Sequence, residues 1–429
     1  MIKSKFFKNT FILIIGSILT RLLGFLIRII FVRTIGQDGI NLYSLIMPTY
    51  SLLISLAGIG LPLAVSTITA RNKTPFKKIF ISVIPIVLLI NLILIILVIY
   101  LAPFISINLL KTKEAIMPIK VIGIILPFIS ISSILRGYYF GKERMEVYTK
   151  SSIIEQIIRL LIVIIIMPKV TKYGYINSLS IFLALSVLSE LSSIIVFLKS
   201  APNHNFRINK NIYDSDITKE VMGLCLPSTA GRIISNILYF IEPIIIMNSL
   251  LDVGYSKKFI LNEYGIYNAY ALPLLMIPSF IVMAISTSLI PEISKSYARK
   301  EYKLIKRKVY LALKLCIILG LLTNTFVFIF PNILLKLIYN TSEGINYIRV
   351  LAPIFVLYNL EGPLSSALSA INKPKEALRA TSIGAIIKTI IVLLLSRLRI
   401  GLYSLIIGEI ISILVTVKLS LKYFKRAMK

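Results

Sequence analysis

Long apolar runs separated by short polar links dominate the chain. Twelve such runs stand out, at 9–32, 41–70, 79–102, 115–136, 149–168, 175–198, 219–249, 263–291, 309–331, 346–371, 380–397 and 400–422. Most match the roughly 20 apolar residues that cross a bilayer as a helix. A soluble helix of that length would alternate polar and apolar faces with a period near 3.6, and most of these runs do not. The pattern predicts an all-α polytopic membrane protein with about twelve transmembrane helices.

Composition agrees: 57% of the 429 residues are hydrophobic and the mean hydropathy is +0.88. The formal charge of +30 raises the question of nucleic acid. Its placement answers it, because basic residues concentrate in alternate short links and in both tails instead of one patch. The link KSYARKEYKLIKRK at 295–308 holds seven of them. This bias predicts cytoplasmic N- and C-termini in a bacterial plasma membrane, with membrane lipids as surroundings and no nucleic-acid partner. MIKSKFF followed by FILIIGSILT imitates a signal peptide, but no small-residue cleavage site follows, so it is expected to stay as the first helix.

The polar stretch SAPNHNFRINKNIYDSDIT, 200–218, divides the chain. The organisation expected is a six-helix bundle over 1–199, a cytoplasmic linker over 200–218 and a second bundle over 219–429. The halves are weakly alike. IIRLLIVIII (157–166) in the fifth span matches IIKTIIVLLL (386–395) in the eleventh, with Arg159 opposite Lys388; Thr20-Arg21 in the first matches Gly231-Arg232 in the seventh. Each half has an even number of spans, so the repeats are parallel, with a central cavity and substrate site expected between them. Pro48, Gly58, Gly60 and Pro62 are expected to interrupt the second helix, Pro273, Pro278 and Pro291 the eighth, and Pro353 and Pro363 the tenth. Such breaks are tolerated where a helix lines a cavity or packs on protein.

Charges inside the spans carry the chemistry. Arg21 and Arg28 are seven residues apart, close to two turns, so they share a face of the first helix about 10 Å apart. A central Arg costs about 2.5–3.5 kcal/mol to insert, and such residues face a bundle interior or a wet cavity. Snorkelling is the bland reading of Arg28, and an internal ion pair that of Arg21. With Arg232 added by the repeat, the expected site is cationic. Guanidiniums match phosphate oxygens with paired donors, which points to a phosphate-bearing anion. Glu155 precedes Arg159 by four residues and reads as a structural pair. Glu190, Glu242, Glu361 and Glu409 are candidates for neutralising the arginines or holding a coupling Na⁺ or H⁺.

Enzyme chemistry finds no support. His204 is the only histidine, in the central link, and no nucleophile–base set, phosphate loop or metal-ligand spacing is present. Cys225 and Cys316 both fall in spans, so neither a disulfide framework nor a metal site is expected.

Five stretches, TRLLGFLIRIIFVRTIGQDGINLY (20–43), AGIGLPLAVSTITA (57–70), LRGYYFGKERM (135–145), IIEQIIR (153–159) and ALPLLMIPSFIVMAISTSLIPEIS (271–294), are similar to the stage V sporulation protein B family. That family belongs to the polysaccharide and oligosaccharide-lipid flippases of the multidrug/oligosaccharidyl-lipid/polysaccharide (MOP) exporter superfamily. The related lipid II flippases share the Arg-x-Leu-Gly-Phe pattern seen at Arg21 to Phe25. The resemblance implies a MATE/MOP-like fold and an undecaprenyl-diphosphate sugar, lipid II or another cell-wall or polysaccharide precursor, with Arg21 near the diphosphate. Arg28 fits the sporulation family and falls one residue out of register against the lipid II flippases. Family members often have fourteen spans against the twelve read here. No cofactor is expected beyond possible coupling to Na⁺, H⁺ or the membrane potential, and the chain is expected to act as a monomer. The alternative is a multidrug and toxin extruder exchanging cations through the glutamates. A non-transporting scaffold fits less well with such short links.

Overall fold

The computed structural model describes residues 2–72, 75–201 and 213–428, and every regular element among them is helical. The helices are α1 (Ile2–Ile35), α2 (Gln37–Gly58), α3 (Leu61–Asn72), α4 (Phe76–Phe104), α5 (Ile116–Gly141), α6 (Met145–Ile165), α7 (Met167–Val170), α8 (Tyr175–Lys199) and α9 (Ser215–Asp252). They continue with α10 (Lys257–Ile266), α11 (Leu272–Leu275), α12 (Ser279–Ala298), α13 (Tyr302–Ile329), α14 (Pro331–Tyr339), α15 (Ile345–Tyr358), α16 (Glu361–Ala370), α17 (Pro374–Leu395) and α18 (Tyr403–Ala427). His204 lies outside the described residues.

Nine helical spans among the described residues are long and apolar enough to cross a membrane, or ten if the bent pair Lys257–Leu275 and Ser279–Ala298 counts as one. The protein is therefore a multi-pass membrane protein. Two of the twelve expected spans do not qualify, for different reasons. The run 149–168 is α6, which carries Glu146, Lys150, Glu155 and Arg159. The run 346–371 is divided into α15 and α16, of 14 and 10 residues, each too short to cross alone.

The helix breaks only partly follow the prolines. Pro48, Pro291 and Pro353 sit inside continuous helices, against expectation. The second span is interrupted at Ile59 (φ 22°) and Gly60 (φ 63°), between α2 and α3, yet runs on as one span over Gln37–Arg71. The eighth bends by 55° at Met276–Pro278. The tenth parts at Asn359–Leu360, one step before Glu361. A proline within a helix forfeits one hydrogen bond, which neighbouring helices and side chains can make good.

The chain forms two compact units, Met1–Phe240 and Ile241–Lys429, with α9 beginning in the first and ending in the second. In the first unit α5 is central: α2, α3, α4 and α8 pack on it, while α6 lies between α1 and α8. Gly137 and Gly141, one turn apart, let α5 approach α3, since a Cβ would stand 2.7 Å from the Pro62 carbonyl oxygen and 2.5 Å from that of Ser66. Small residues at this spacing allow close backbone contact in lipid, where van der Waals packing rather than water drives helix association. Asn91 donates to Ser130 at 2.9 Å, and Ser130 donates to the Ala57 carbonyl at 2.9 Å, tying α4, α5 and α2 together. Ile217, Val221 and Cys225 of α9 belong to this unit's apolar core with Val65, Ile68 and Phe197.

In the second unit α17 packs along α18, α12 along α16 and α13 along α15. Gly384 meets Thr416, and Gly408 meets Val392, so a glycine on each of α17 and α18 lets the pair close up. The distribution of side chains is that of a protein in hydrocarbon. Helix α4 exposes Leu89, Leu92 and Ile93 while burying Ser82 and Asn91.

Candidate functional site

Charged side chains gather at one place in each unit. In the first, Glu155 of α6 and Glu190 of α8 are almost wholly buried, and two guanidiniums face them. Arg136 of α5 pairs closely with Glu155 and reaches Glu190 at 3.8 Å. Arg159 of α6 holds Glu155 at 3.2 Å and Glu190 at 3.8 Å. Serines fix the arginines: Nε of Arg136 donates to Ser132 at 3.1 Å and Nε of Arg159 to Ser189 at 3.3 Å.

Arg159 also forms part of a cavity wall. This cavity, of about 230 Å³, is lined by Arg28 of α1, Tyr43 and Tyr50 of α2, Gln156 and Arg159 of α6 and Ser186 of α8, with Phe31 and Phe182 on its apolar side. Around this region three guanidiniums, Arg28, Arg136 and Arg159, stand against two carboxylates. Donors of three kinds, guanidinium, phenol and amide, converge on the space, which suits an anion with several acceptor oxygens.

The three arginines expected from sequence are placed differently. Arg28 lines the cavity. Arg21, two turns earlier on α1 and half-buried, is not among its lining residues, and Arg232 is exposed on α9. Arg159 was read as only the structural partner of Glu155; it is that, and it also faces the cavity. Tyr43 and Tyr50 were missed. Their seven-residue spacing, the same as that of Arg21 and Arg28, was the available signal.

In the second unit Lys388 of α17 lies between two carboxylates, at 2.7 Å from Glu242 of α9 and 2.6 Å from Glu409 of α18. Tyr264 of α10 donates to Glu242 at 3.2 Å. Glu361, heading α16 just after the break, is within electrostatic reach of Glu409. Three of the four candidate glutamates are thus in one neighbourhood, and the fourth, Glu190, is in the arginine network. One ammonium against three carboxylates leaves this cluster acidic. Among the described residues no group of three or more His, Cys, Asp or Glu is placed to hold a metal ion.

The two clusters share a plan. In each unit the base comes from the fifth span of its half (Arg159, Lys388) and an acid from the sixth (Glu190, Glu409). The alignment of Arg159 with Lys388 in sequence therefore corresponds to a repeated ion pair.

Residues 6–297 match the family described as Polysaccharide biosynthesis protein, and residues 268–394 match MatE. The chain belongs to the polysaccharide biosynthesis protein family. It is 32% identical to Stage V sporulation protein B of Bacillus subtilis (strain 168), over 92% of this chain and 79% of that protein. It is 21% identical to Lipid II flippase MurJ of the same organism, over 90% of this chain and 77% of that protein. Among solved structures, an inward-facing multidrug resistance MATE family transporter of the MOP superfamily matches with a TM-score of 0.78 and 16% identity, covering 96% of this chain and 94% of that one. A MOP superfamily transporter from Pyrococcus furiosus matches with a TM-score of 0.67 and 15% identity, covering 98% and 95%. These likenesses give the chain the MOP fold. The relatives and structural neighbours are named as a sporulation protein, a flippase and transporters rather than as enzymes.

Proposed function

We propose that the protein is a flippase that carries an undecaprenyl-diphosphate-linked sugar from the inner to the outer leaflet of the plasma membrane, with both termini cytoplasmic. The observation that carries this reading is the cavity walled by two guanidiniums, Arg28 and Arg159. Arginine keeps its charge there and offers paired donors to phosphate oxygens. Phenols and the Gln156 amide add donors without adding charge. The cavity's 230 Å³ falls below the roughly 300–1,000 Å³ typical of sites that enclose a whole ligand. It suits the diphosphate alone, with the polyprenyl tail left in lipid. The relatives support the substrate class, one being named a lipid II flippase and another a sporulation protein. An inside-negative potential would assist outward passage of the anionic group by about 2.3 kcal/mol per charge per 100 mV.

The test is a reconstituted flipping assay comparing lipid II with a second undecaprenyl-diphosphate sugar, in wild type and Arg28→Ala. Transport of either substrate that Arg28→Ala abolishes supports the reading; transport at the wild-type rate in that variant refutes the role of the site.

A second reading, a cation antiporter of the multidrug and toxin extrusion type, is favoured by one observation: the acidic surplus of Glu242, Glu361 and Glu409 around Lys388. The same cluster serves the first reading as a site for a coupling Na⁺ or H⁺. Drug resistance on overexpression, lost in Glu361→Gln, would favour the antiporter.

A further inference from the structure

A cavity in the second unit lies at the opposite end of the chemistry from a phosphate site. It has a volume of about 620 Å³, and its walls include Tyr255, Phe259, Asn262, Glu263, Tyr347, Arg399 and Tyr403. These come from the ends of α10, α15 and α18 and from the links before them. Each link joins an odd span to the following even one (seven to eight, nine to ten, eleven to twelve). On the twelve-span reading, parity puts all three links on one side of the membrane, opposite both termini.

The lining has the composition of a carbohydrate site. Tyr347 and Tyr403 meet edge to face, with centroids 5.7 Å apart, and Tyr255 stacks on Phe259 at 5.2 Å. Phe259 and Tyr403 remain about 40% exposed, so their rings offer open apolar surface to the C–H faces of a pyranose. Beside the rings stand an amide, Asn262, which can donate to and accept from hydroxyls, and a carboxylate, Glu263, which accepts from them. Glu263 is held by the Tyr347 hydroxyl, and Tyr255 donates to the Arg399 carbonyl at 2.6 Å, so the polar groups are preset. A phosphate is disfavoured, because Glu263 and Glu343 outnumber Arg399 on these walls. A simple cation is also disfavoured, since Arg399 shares the space and Glu263 already has a donor. The volume lies inside the range of sites that enclose a small molecule.

We infer that this cavity is a glycan-binding site on the non-cytoplasmic face, receiving the neutral sugar portion of the carried lipid as it emerges. The inference rests on the flippase reading for its side of the membrane and its source of sugar. Tyr403 and Phe259 supply stacking surface, Asn262 and Glu263 hydrogen bonds.

The experiment uses the full chain in lipid nanodiscs and saturation-transfer NMR with N,N′-diacetylchitobiose and maltose as probes. Wild type should bind at least one disaccharide saturably in the millimolar range. Tyr403→Ala and Asn262→Ala should each weaken that binding tenfold or more, while Tyr403→Phe, which keeps the ring, should bind within twofold of wild type. Farnesyl diphosphate titrated into the same samples reports on Arg28 and Arg159 separately. Disaccharide binding lost in Tyr403→Ala with farnesyl diphosphate binding intact supports the glycan site. If neither disaccharide binds, if Tyr403→Ala leaves binding unchanged, or if choline binds where the sugars do not, the site is refuted, whatever the diphosphate result. Disaccharide binding without any farnesyl diphosphate binding would uphold the glycan site and sink the diphosphate reading instead.

Discussion

Replacing Lys388 by Met tests whether the acidic cluster of the second unit depends on a built-in cation. The thioether fills similar volume but removes the charge that Glu242 and Glu409 approach at 2.7 and 2.6 Å. With charge centres about 4 Å apart and an effective dielectric near 20, each pair is worth about 4 kcal/mol of gross attraction. Much of that repays desolvation, so the measurable loss is the cost of stranding a buried charge, about 3–5 kcal/mol. At roughly 2–4 °C per kcal/mol for a unit of this size, the thermal transition of the second unit should fall by about 6–20 °C. The assay is thermal unfolding in detergent followed by tyrosine emission, which is readable because the chain has no Trp. The decisive comparison is the double variant Lys388→Met/Glu409→Gln. Removing one of the stranded carboxylates should return a good part of the lost stability, with a coupling energy of about 0.5–3 kcal/mol between the two sites. A Lys388→Met transition within 2 °C of wild type, or a double variant less stable than either single one, would refute the reasoning.

Arg28→Ala removes charge-assisted hydrogen bonds worth about 1.5–3 kcal/mol, so farnesyl diphosphate affinity should fall roughly 10- to 150-fold, with Arg28→Lys between the two. Gly137→Leu forces a side chain into the 2.7 Å gap over the Pro62 carbonyl and should destabilise the first unit by about 1–3 kcal/mol or more, read as a lowered thermal transition. The Lys78 ammonium, 2.7 Å away, and the backbone N–H groups of Asp216 and Ile217 hold the Asp214 carboxyl below its ordinary value of 3.8. The contribution of this group to stability is therefore fully present above that value and is lost as pH falls through the lower, folded value. Asp214→Asn should flatten this acid limb in a thermal-shift series run down to about pH 3, while an unchanged limb would count against the pair.

How far the sequence carried the structure depended on which force set each feature. Apolar run length is imposed by the bilayer and is local, so the spans were legible nearly to their ends. Helix breaks were less so. A proline costs a hydrogen bond wherever it sits, but only the surrounding packing decides whether the helix then parts, as at Met276–Pro278, or continues, as through Pro48. Most intramembrane charges were visible as candidates because hydrocarbon makes them conspicuous, but Arg136, at the end of its run, was not. Their partners were not. That Arg136 joins Glu155, or that Lys388 joins Glu242 across almost 150 positions of sequence, depends on tertiary contact alone. Tyr43 and Tyr50 were hidden for another reason: in an apolar helix a tyrosine reads as belt or core, and only the cavity distinguishes them.

The repeated ion pair narrows what the second cluster can do. If Lys388 were only a structural counterion, one carboxylate would suffice, as a lone buried pair is already costly to assemble. Two carboxylates touch it, and a third, Glu361, stands at the head of a broken helix nearby. The first unit solves the same problem with two arginines on two glutamates, which neutralises the acids. An arrangement that balances its acids in one half and leaves them in excess in the other is poorly explained by stability alone. It is what a carrier of an anion needs if a cation or proton is to move with, or against, that anion. The cluster around Lys388 is thus the place to look for coupling, and a dependence of transport on Na⁺ or on pH that disappears in Glu361→Gln is the signature it should leave.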